Sequence, residues 1–332
     1  MMNGSTFLKE LISDCNGTSN PICIFSSVQI LKATNYFDPS GYMSHHRFFS
    51  WHKGIIQERC YLIKRFKEEY ILGVYESVVY NDIVISARVS NHNSFLKLLG
   101  SCLEFPLPIL VFEYAENGAM NDQGGVGNEN RQLLQLNVRL KITKEVANAV
   151  TYLHMAFPRI IIHREIKPTN VFLDKNWKAK LSDLSFSISL PEGKSWIKDK
   201  VMGTLGYIDP SYLATGIVTE YTDVFSFGIF LLVLLSGRPA ILPESSDSIH
   251  DYVKGLHDKG EFFELRDEFG KKSMYAFLEL ALRCCGRRKE ERPKMIEVAK
   301  EIKLIEWSLD VASVSEPTSW GKERKESLHS LS

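Results

Sequence analysis

One segment of the chain, residues 161–185, combines two predicted short strands with a dense set of polar side chains. The strands are expected at 171–173 and 179–181, and they flank a tight turn around Asn176. A solvated surface group would explain any one of the polar residues alone, but their joint occurrence predicts a site in which fixed polar groups act together. These residues are His163, Arg164, Glu165, Lys167, Asn170 and Asp183.

The rest of the chain divides into a strand-rich first part and a helical second part. Strand formers dominate 48–66, and further strands are expected at 95–99 and 109–113, with a helix at 78–89 between them. A polar, Gly-rich stretch that begins at Asn117 separates the two parts. Helical patterns follow at 131–156, 222–236, 274–285 and 294–307. At 332 residues with 44% hydrophobic residues, the chain is long enough for two lobes, and the fold class predicted is α+β.

The charge balance limits the kinds of partner. The chain has 40 Lys+Arg and 40 Asp+Glu, whereas proteins that bind nucleic acids or anionic membranes usually carry a basic excess. We therefore expect a small-molecule or protein partner and no nucleic acid. The longest apolar run, 225–235, is shorter than the roughly 20 residues of a membrane span, so no transmembrane span is expected. Six cysteines without CxxC spacing and the lack of a secretory leader pattern predict a cytoplasmic protein with reduced thiols.

The polar segment closely resembles the catalytic loop and metal-binding turn of eukaryotic protein kinases. The loop reads His163-Arg164-Glu165-Ile166-Lys167-Pro168-Thr169-Asn170, and the turn reads Asp183-Leu184-Ser185. Supporting motifs occur in the expected order on both sides, and the resemblance covers about 38–306. These motifs are Lys64 in Tyr-Leu-Ile-Lys, residues 203–210, Asp223 in Thr-Asp-Val-Phe-Ser-Phe-Gly and Arg292 in Glu-Arg-Pro. The resemblance implies a bilobal kinase-like fold with an N-lobe at about 38–116 and a C-lobe at about 117–306.

The resemblance also implies a role for each matching residue. Lys64 corresponds to the strand lysine that holds the α- and β-phosphates of ATP, and Asn170 and Asp183 to the ligands of Mg²⁺. Lys167 would lie beside the transferred phosphoryl group. His163, Arg164 and Asp223 would have structural roles, because the carboxylate of Asp223 is expected to accept backbone N–H groups of the turn 163–165.

Three departures from the kinase pattern weaken the prediction of an enzyme. The catalytic-base position carries Glu165 instead of Asp, which moves the carboxylate outward by about 1.5 Å, and such a displacement can cost about 10²-fold in rate. The phosphate-covering stretch 43–50 lacks the glycines that let backbone amides approach a phosphate. The metal-binding turn has Ser185 where the family has glycine. The resemblance therefore implies that no cofactor is required and that ATP and Mg²⁺ bind weakly at best.

Two ion pairs of the kinase fold also have altered partners. In the helix that should supply the carboxylate partner of Lys64, the nearest match is Asp82, one methylene short, with Glu76 as an alternative. The glutamate that usually pairs with the arginine at the position of Arg292 is absent. A buried arginine needs a counter-ion, so Asp209 or Glu220 is expected to take that place.

Further stretches narrow the resemblance to plant receptor-like cytoplasmic kinases. The lead-in 25–37 and the run 98–104 resemble those kinases, and 80–84, 113–120 and 184–190 resemble one small subgroup of them. Members of that subgroup are mostly pseudokinases that act as adaptors for a coiled-coil NLR immune receptor. The resemblance implies that the partners are such a receptor and other receptor-like cytoplasmic kinases that pathogen effectors have modified. It also implies a cytoplasmic location, with attachment to the plasma membrane through partners as an alternative.

The sequence leaves three functions open and suggests where a partner would bind. The leading hypothesis is an inactive or impaired kinase-like adaptor, and the alternatives are a weak Ser/Thr kinase with Glu165 as base and a nucleotide-binding switch without turnover. The segment 185–212, which corresponds to the activation segment of kinases, is a candidate docking loop because it carries hydroxyl residues such as Ser187, Ser195 and Thr204. The stretch 45–49 is predicted to be either a second contact surface or a core strand. Outside the kinase-like domain 38–306 we expect an N-terminal helical extension at 1–37, including helices at 6–14 and 26–35, and a disordered tail at 307–332.

Overall fold

The first lobe is built on a six-stranded sheet. The computed structural model describes residues 22–72, 76–127, 132–261 and 271–314. The strands are β1 (Cys23–Ile24), β2 (Tyr42–His45), β3 (Phe49–Ile56), β4 (Arg59–Phe66), β5 (Leu98–Cys102) and β6 (Ile109–Glu113). They lie side by side in the order β1-β5-β6-β4-β3-β2, and every pair is antiparallel except β1 with β5.

The β3–β4 hairpin carries the residues that face the cleft. Its register is continuous from Phe49 opposite Phe66 to Ile56 opposite Arg59, and it places Trp51 directly opposite Lys64. Side chains alternate between the two faces of a strand, so Phe49 and Trp51 lie on the same face of β3. Both are buried.

Two short helices and one longer helix belong to this lobe. Helix α1 (Ser27–Ala33) starts at Ser26 with a capping box and packs Ile30 against the outer face of the sheet. Helix α2 (Glu68–Ile71) follows β4, and the longer helix α3 (Glu76–Val89) lies between α2 and β5. The buried face of α3 includes Asp82 and Ser86, four residues apart, and thereby turns a carboxylate toward the cleft.

The hinge between the lobes is anchored by backbone hydrogen bonds to the second lobe. After β6, the backbone of Asn117 donates to the carbonyl of Leu173, and Leu173 donates back to Gly118. The side chain of Asn117 also donates to the carbonyl of Asp174 over 2.7 Å. The second lobe is thus fixed to the end of the N-lobe sheet at the base of the cleft.

The second lobe is mainly helical. Its helices are α4 (Leu136–Met155), α5 (Pro210–Thr215), α6 (Glu220–Ser236), α7 (Ile249–Asp258), α8 (Lys271–Cys284) and α9 (Met295–Val314). Its strands form two-residue or three-residue pairs around the helices. They are β7 (Gly125–Val126), β8 (Gln132–Leu133), β9 (Ile161–Ile162), β10 (Val171–Leu173), β11 (Ala179–Leu181), β12 (Ile188–Ser189), β13 (Ile197–Lys198) and β14 (Ile217–Val218).

Helix α6 forms the centre of the C-lobe core. Thr219 caps its first turn, and Gly237 ends it in the left-handed conformation at φ 67°. Every residue of α6 from Thr222 to Leu235 is buried, and α4, α8 and α9 belong to the same hydrophobic cluster. Because Asp223 lies in the first turn of this immobile helix, its carboxylate has a fixed position beneath the polar segment.

The two-lobed α+β architecture confirms the predicted fold class. The strand expected at 95–99 is displaced, because Leu96 donates to the carbonyl of Leu181 in the C-lobe and the sheet strand begins only at Leu98. From the predicted N-terminal extension 1–37, β1 and α1 pack into the N-lobe. Helix α9 continues to Val314, so the first residues of the tail predicted to be disordered are helical. The helix expected at 6–14 and the tail beyond 314 lie outside the described residues. Among the described residues, no helix is long and apolar enough to span a bilayer.

Candidate functional site

Lys64 lies at the centre of the cleft between two carboxylates. Its Nζ is 2.6 Å from Asp82 Oδ2 and 2.6 Å from Asp183 Oδ1, and none of the three side chains is more than about 2% exposed to solvent. The structure therefore brings Lys64 together with Asp82 rather than with Glu76, which lies exposed at the start of α3. Strand β4, helix α3 and the turn after β11 each contribute one member of this triad.

The triad shifts the pKa values of its members. Burial alone would lower the pKa of Lys64, but the two neighbouring carboxylates raise it above its usual value. Burial likewise opposes ionisation of Asp183, yet the Lys64 ammonium outweighs it and holds the pKa of Asp183 below its usual value. Burial raises the pKa of Asp82, and the neighbouring charge of Asp183 raises it further, because a single ammonium cannot fully compensate two carboxylates. The Lys64 ammonium is thus the shared counter-ion of both buried acids.

The metal-binding turn is tied into this triad. Asp183 has a positive φ of 63°, and both of its oxygens are engaged: Ser185 donates to Oδ1 over 2.5 Å, and Asn170 Nδ2 approaches Oδ2 at 3.4 Å. The same Asn170 amide donates to the carbonyl of Glu165. Carboxylate and amide groups are suitable ligands for Mg²⁺. Here protein partners engage both oxygens of Asp183, while Asn170 is engaged through its amide nitrogen. No cluster of three His, Cys, Asp or Glu side chains that could bind a metal occurs among the described residues.

The stretch in place of the glycine-rich loop folds into the cleft. Phe49 is 1% exposed, and its ring centre lies 3.8 Å from Lys64 Nζ, in a cation–π contact. His46 stacks on Phe49 with ring centres 4.8 Å apart, and Phe48 meets Phe186 of the activation segment edge-on. For 45–49 the sequence left a second contact surface and a core strand as alternatives. Phe49 begins strand β3 and is buried, so it fits the core strand. Side chains occupy the space next to Lys64, where the resemblance to kinases would place the phosphates of ATP.

A second group of rings fills the cleft toward the hinge. Trp51 meets Phe112 at 5.2 Å and Phe172 at 5.0 Å between ring centres, and all three side chains are buried. Phe112 belongs to the last strand before the hinge, and Phe172 belongs to the C-lobe. If a nucleotide bound as the resemblance to kinases implies, with its phosphates at Lys64 and Asp183, its base would lie on this side. The rings join the two lobes at that place.

Glu165, at the catalytic-base position, is held in a local network. Its Oε1 lies 2.5 Å from Lys167 Nζ and accepts a hydrogen bond from Thr204 Oγ1, while Lys167 also donates to Thr204 over 2.8 Å. Its Oε2 is buried and has no hydrogen-bond partner among the residues that the structure describes. His46 Nε2 lies 3.8 Å from Oε1, and burial together with nearby Lys167 lowers the pKa of His46 to about 4, so the ring is neutral at pH 7.

Asp223 holds the polar segment from below. Its Oδ2 accepts the backbone N–H of His163, and its Oδ1 accepts that of Arg164, both over 2.8 Å. His154 on α4 contacts Oδ2 over 2.9 Å. His163 is fully buried, and its ring meets the carbonyl of Ser182 and the backbone N–H of Glu165. These contacts fix the turn at Arg164, where φ is 68°.

Arg292 has a buried counter-ion. Its guanidinium donates two hydrogen bonds to Asp209, of 2.7 Å and 3.0 Å, and a further one to the carbonyl of Tyr221. Of the two acids that the sequence suggested, Asp209 is the partner. Glu220 instead pairs with Lys294 near the surface. Asp209 is the N-cap of helix α5, and its carboxylate also accepts the backbone N–H of Ser211. The start of this helix therefore holds the carboxylate in place against Arg292.

The three hydroxyl residues suggested for docking differ in access. Ser195 is exposed, whereas Thr204 is half-buried and engaged with Glu165 and Lys167. Ser187 is 3% exposed, because Asn81 of helix α3 binds its carbonyl and draws this part of the segment inward. Ser187 is thus not a surface residue, which corrects its assignment as an interaction candidate.

Sequence reasoning missed the side chains that close the cleft. They include Trp51, Phe112 and Phe172, and nothing in the sequence contexts of Phe112 and Phe172 distinguishes a ring in the core from a ring in the cleft. Asn81 was also missed, although it donates to three carbonyls of the activation segment, those of Leu184, Ser185 and Ser187. The alternation of large aromatics at 49 and 51, on the strand after the missing glycines, is the one signal that could have indicated the filled cleft.

Comparisons with known proteins agree with this architecture. A model of the protein kinase domain matches residues 53–305. The chain is 57% identical over 318 residues to the non-functional pseudokinase ZRK2 of Arabidopsis thaliana, covering 92% of this chain and 89% of that protein. It is 58% identical over 326 residues to the serine/threonine-protein kinase ZRK1 of the same plant, covering 94% and 93%. Identity to a third A. thaliana protein, the non-functional pseudokinase ZED1, is 46% over 323 residues, covering 92% and 96%.

Proposed function

The chain belongs to the protein kinase family, and we propose that it is a catalytically inactive or strongly impaired member that serves as an adaptor in plant innate immune signalling. In this proposal it links a coiled-coil NLR immune receptor to cytoplasmic kinases that pathogen effectors have modified. Relatives named as non-functional pseudokinases support the first part, although a relative of similar identity is named as a kinase. The adaptor role rests on the resemblance of the sequence to a subgroup of such adaptors.

The filled cleft is the observation that carries the loss of catalysis. Phosphoryl transfer depends on holding the triphosphate and metal in line with the acceptor hydroxyl. For ATP to reach Lys64, the ring of Phe49 would have to leave its position 3.8 Å from Nζ. For the base to enter, Trp51 would have to separate from Phe172. Displacing buried aromatic side chains costs several kcal/mol, which would come out of the binding energy of the nucleotide.

The state of Glu165 argues in the same direction. A catalytic base needs an oxygen that can take a proton from an incoming hydroxyl. Oε1 is occupied by Lys167 and Thr204, and Oε2 is buried. An acceptor hydroxyl would have to compete with the protein's own Thr204 for this carboxylate. The retained residues therefore serve to hold the activation segment against the catalytic loop.

The retained scaffold supports a role in protein binding. Asp223, Arg292 and Asn81 keep the catalytic loop, helix α5 and the start of the activation segment in fixed positions. The segment carries large apolar side chains at its surface, among them Trp196 and Leu205, which are 52% and 67% exposed. Exposed aromatic and aliphatic residues on a fixed backbone are typical of protein–protein contact surfaces. A fold without catalysis but with such a surface fits an adaptor.

Transfer of labelled phosphate tests the loss of catalysis. We would incubate the purified chain with γ-labelled ATP, Mg²⁺ or Mn²⁺ and a generic acceptor protein, beside Asp183→Asn, which keeps the size of the side chain. The proposal expects the same background label for both proteins. Incorporation by the native chain that disappears in Asp183→Asn, with both proteins equally folded by circular dichroism, would show a working kinase.

A matched pair of surface variants tests the docking role. Leu205 on the activation segment and Leu304 on α9 are 67% and 64% exposed, so the same change to Asp alters equally exposed leucines on different surfaces. Pairwise binding would be measured with a purified receptor-like cytoplasmic kinase, in native and effector-modified forms. The proposal expects binding of the modified form, weakened at least tenfold by Leu205→Asp and unchanged by Leu304→Asp. No binding to either form, or equal losses in both variants, would contradict docking at this segment.

A weak Ser/Thr kinase remains the second candidate because one set of residues favours it. Lys64, Lys167, Asn170 and Asp183 all converge on the cleft, and the Lys64–Asp82 pair is intact. Label transfer that requires Asp183 would favour this candidate. Nucleotide-dependent stabilisation without transfer would instead favour the third possibility, a nucleotide-binding switch.

A further inference from the structure

Arg164 of the catalytic loop extends into the activation segment and ends at Asp199. Its Nη1 lies 2.6 Å from Asp199 Oδ2, and its Nε donates to the carbonyl of Phe186. The arginine side chain is 7% exposed and the aspartate side chain 34%. Two parts of the segment that are thirteen residues apart, at 186 and 199, are thus held by one buried guanidinium.

Tyr212 of helix α5 completes this junction. Its hydroxyl donates to the carbonyl of Lys200 over 2.7 Å and accepts the backbone N–H of Met202 over 3.0 Å. Arg164 Nη1 also donates to this hydroxyl over 3.3 Å. The ion pair is therefore continuous with hydrogen bonds that fix the chain on the far side of Asp199.

Short strand pairs extend the ordered region in both directions. Strand β12 pairs with β9 before the junction, and β13 pairs with β14 immediately before Asp199. The backbone N–H of Asp199 donates to the carbonyl of Gly216 over 2.9 Å. A two-residue strand pair is too short to be stable alone, so its persistence depends on the neighbouring side-chain contacts.

In many protein kinases the activation segment is ordered when a phosphorylated residue pairs with arginine. We propose that the carboxylate of Asp199 takes the place of that phosphate, so that the segment of this chain keeps its shape without phosphorylation. The use of this shape for docking rests on the proposed adaptor function, but the order of the segment does not. Recognition at the segment then depends on the chemical state of the partner and not on phosphorylation of this chain.

The other acids and hydroxyls of the segment do not provide the same contact. Glu192 is exposed, and Asp209 is engaged with Arg292. Within the segment, the side chain of Ser187 is buried and that of Ser195 is exposed. Asp199 alone among these residues pairs with Arg164.

Hydrogen exchange of the chain by itself tests the proposal without any partner. Native protein made in bacteria and treated with phosphatase is compared with Asp199→Ser and with Glu192→Gln, a control that removes an exposed charge from the same segment. The backbone amides of 197–202 and 217–218 report on the junction, and those of helix α6 report on global folding. We expect Asp199→Ser to lower protection at the junction by about tenfold while α6 stays protected, and Glu192→Gln to leave both unchanged.

Phosphoserine incorporated at position 199 provides the rescue. If the carboxylate stands in for a phosphate, phosphoserine is expected to restore the protection that Asp199→Ser loses. Three results would overturn the proposal: an unprotected junction in the dephosphorylated native chain, no loss in Asp199→Ser, or no recovery with phosphoserine. A protected junction without any kinase binding would leave this inference intact and would contradict the adaptor function instead.

Discussion

Replacing Lys64 by methionine is expected to destabilise the fold, because its ammonium is the shared counter-ion of two buried carboxylates. In a kinase with an open cleft, the lysine at this position also contacts ATP, and water can solvate the site when ATP is absent. Here the side chains of Lys64, Asp82 and Asp183 are enclosed by protein. Lys64→Met keeps the length of the side chain and removes only the charge.

The size of the effect follows from the geometry. Removing one partner of a buried ion pair costs about 3–5 kcal/mol, because the remaining charge stays buried without compensation. Lys64 serves two acids at 2.6 Å each, so the loss is expected at or above the upper end, about 5 kcal/mol. That is a third or more of the roughly 5–15 kcal/mol that stabilises a typical domain.

Urea unfolding of Lys64→Met measures this loss, with Lys53→Met as the matched control. Lys53 lies on β3 of the same sheet but is exposed, and its ammonium contacts only the Tyr114 ring among the described residues, at 5.2 Å, so about 1 kcal/mol or less is expected. Equal stability of the two variants would refute the triad as a structural element. Adding Asp82→Asn to Lys64→Met removes one of the two uncompensated charges and is expected to recover part of the loss.

The pH dependence of Lys64→Met gives an independent check. Without the ammonium, burial raises the pKa of both Asp82 and Asp183, so the folded variant binds protons that the unfolded chain has already released. Stability that depends on such protons is present at low pH and is lost as pH rises through the raised pKa values. The deficit relative to the native chain is therefore expected to be smaller at about pH 5 than at about pH 8. A deficit that grows toward low pH would contradict this reasoning.

Two further contacts outside the cleft can be tested with variants. Asp209→Asn is expected to lower the free energy of unfolding by about 3–5 kcal/mol in urea titrations, since it leaves Arg292 buried without a counter-ion, whereas Glu220→Gln at the surface is expected to cost about 1 kcal/mol or less. Equal effects would mean that Arg292 does not depend on Asp209. Gly100→Ala is expected to detach β1 from the sheet, because a Cβ there would collide with the carbonyl of Cys23; limited proteolysis near the N-terminus should then accelerate, and an unchanged cleavage rate would contradict the pairing.

The sequence predicted the two lobes and the polar segment 161–185, because these features depend on local patterns. Strand alternation in β3 and β4 and the long helical patterns depend on local periodicity, which a single sequence carries. Asp223 and Arg292 belong to motifs whose spacing is preserved. The partner of Arg292 was narrowed to two acids, and only the geometry of helix α5 decided for Asp209.

The state of the cleft could not be predicted in the same way. Trp51 and Phe172 are 121 residues apart in the chain and belong to different lobes. Their contact therefore depends on how the two lobes approach each other. The same holds for Ser187, which looks like a loop hydroxyl but is drawn inward by Asn81 from another lobe. The continuation of α9 beyond 306 to Val314 was not predicted, because the serine-rich composition of the last residues obscured it.

Titration of the native chain with Mg²⁺–ATP tests the central claim, that aromatic side chains close the cleft. A ligand present at about 100 times its Kd adds about 2.7 kcal/mol to the stability of the folded state, which raises the unfolding midpoint by several degrees in a protein of this size. With ATP at millimolar concentration, we predict no rise in the midpoint and no heat of binding by calorimetry. A rise of several degrees that Asp183→Asn abolishes would show that Phe49 and Trp51 do not exclude the nucleotide, and would contradict the claim.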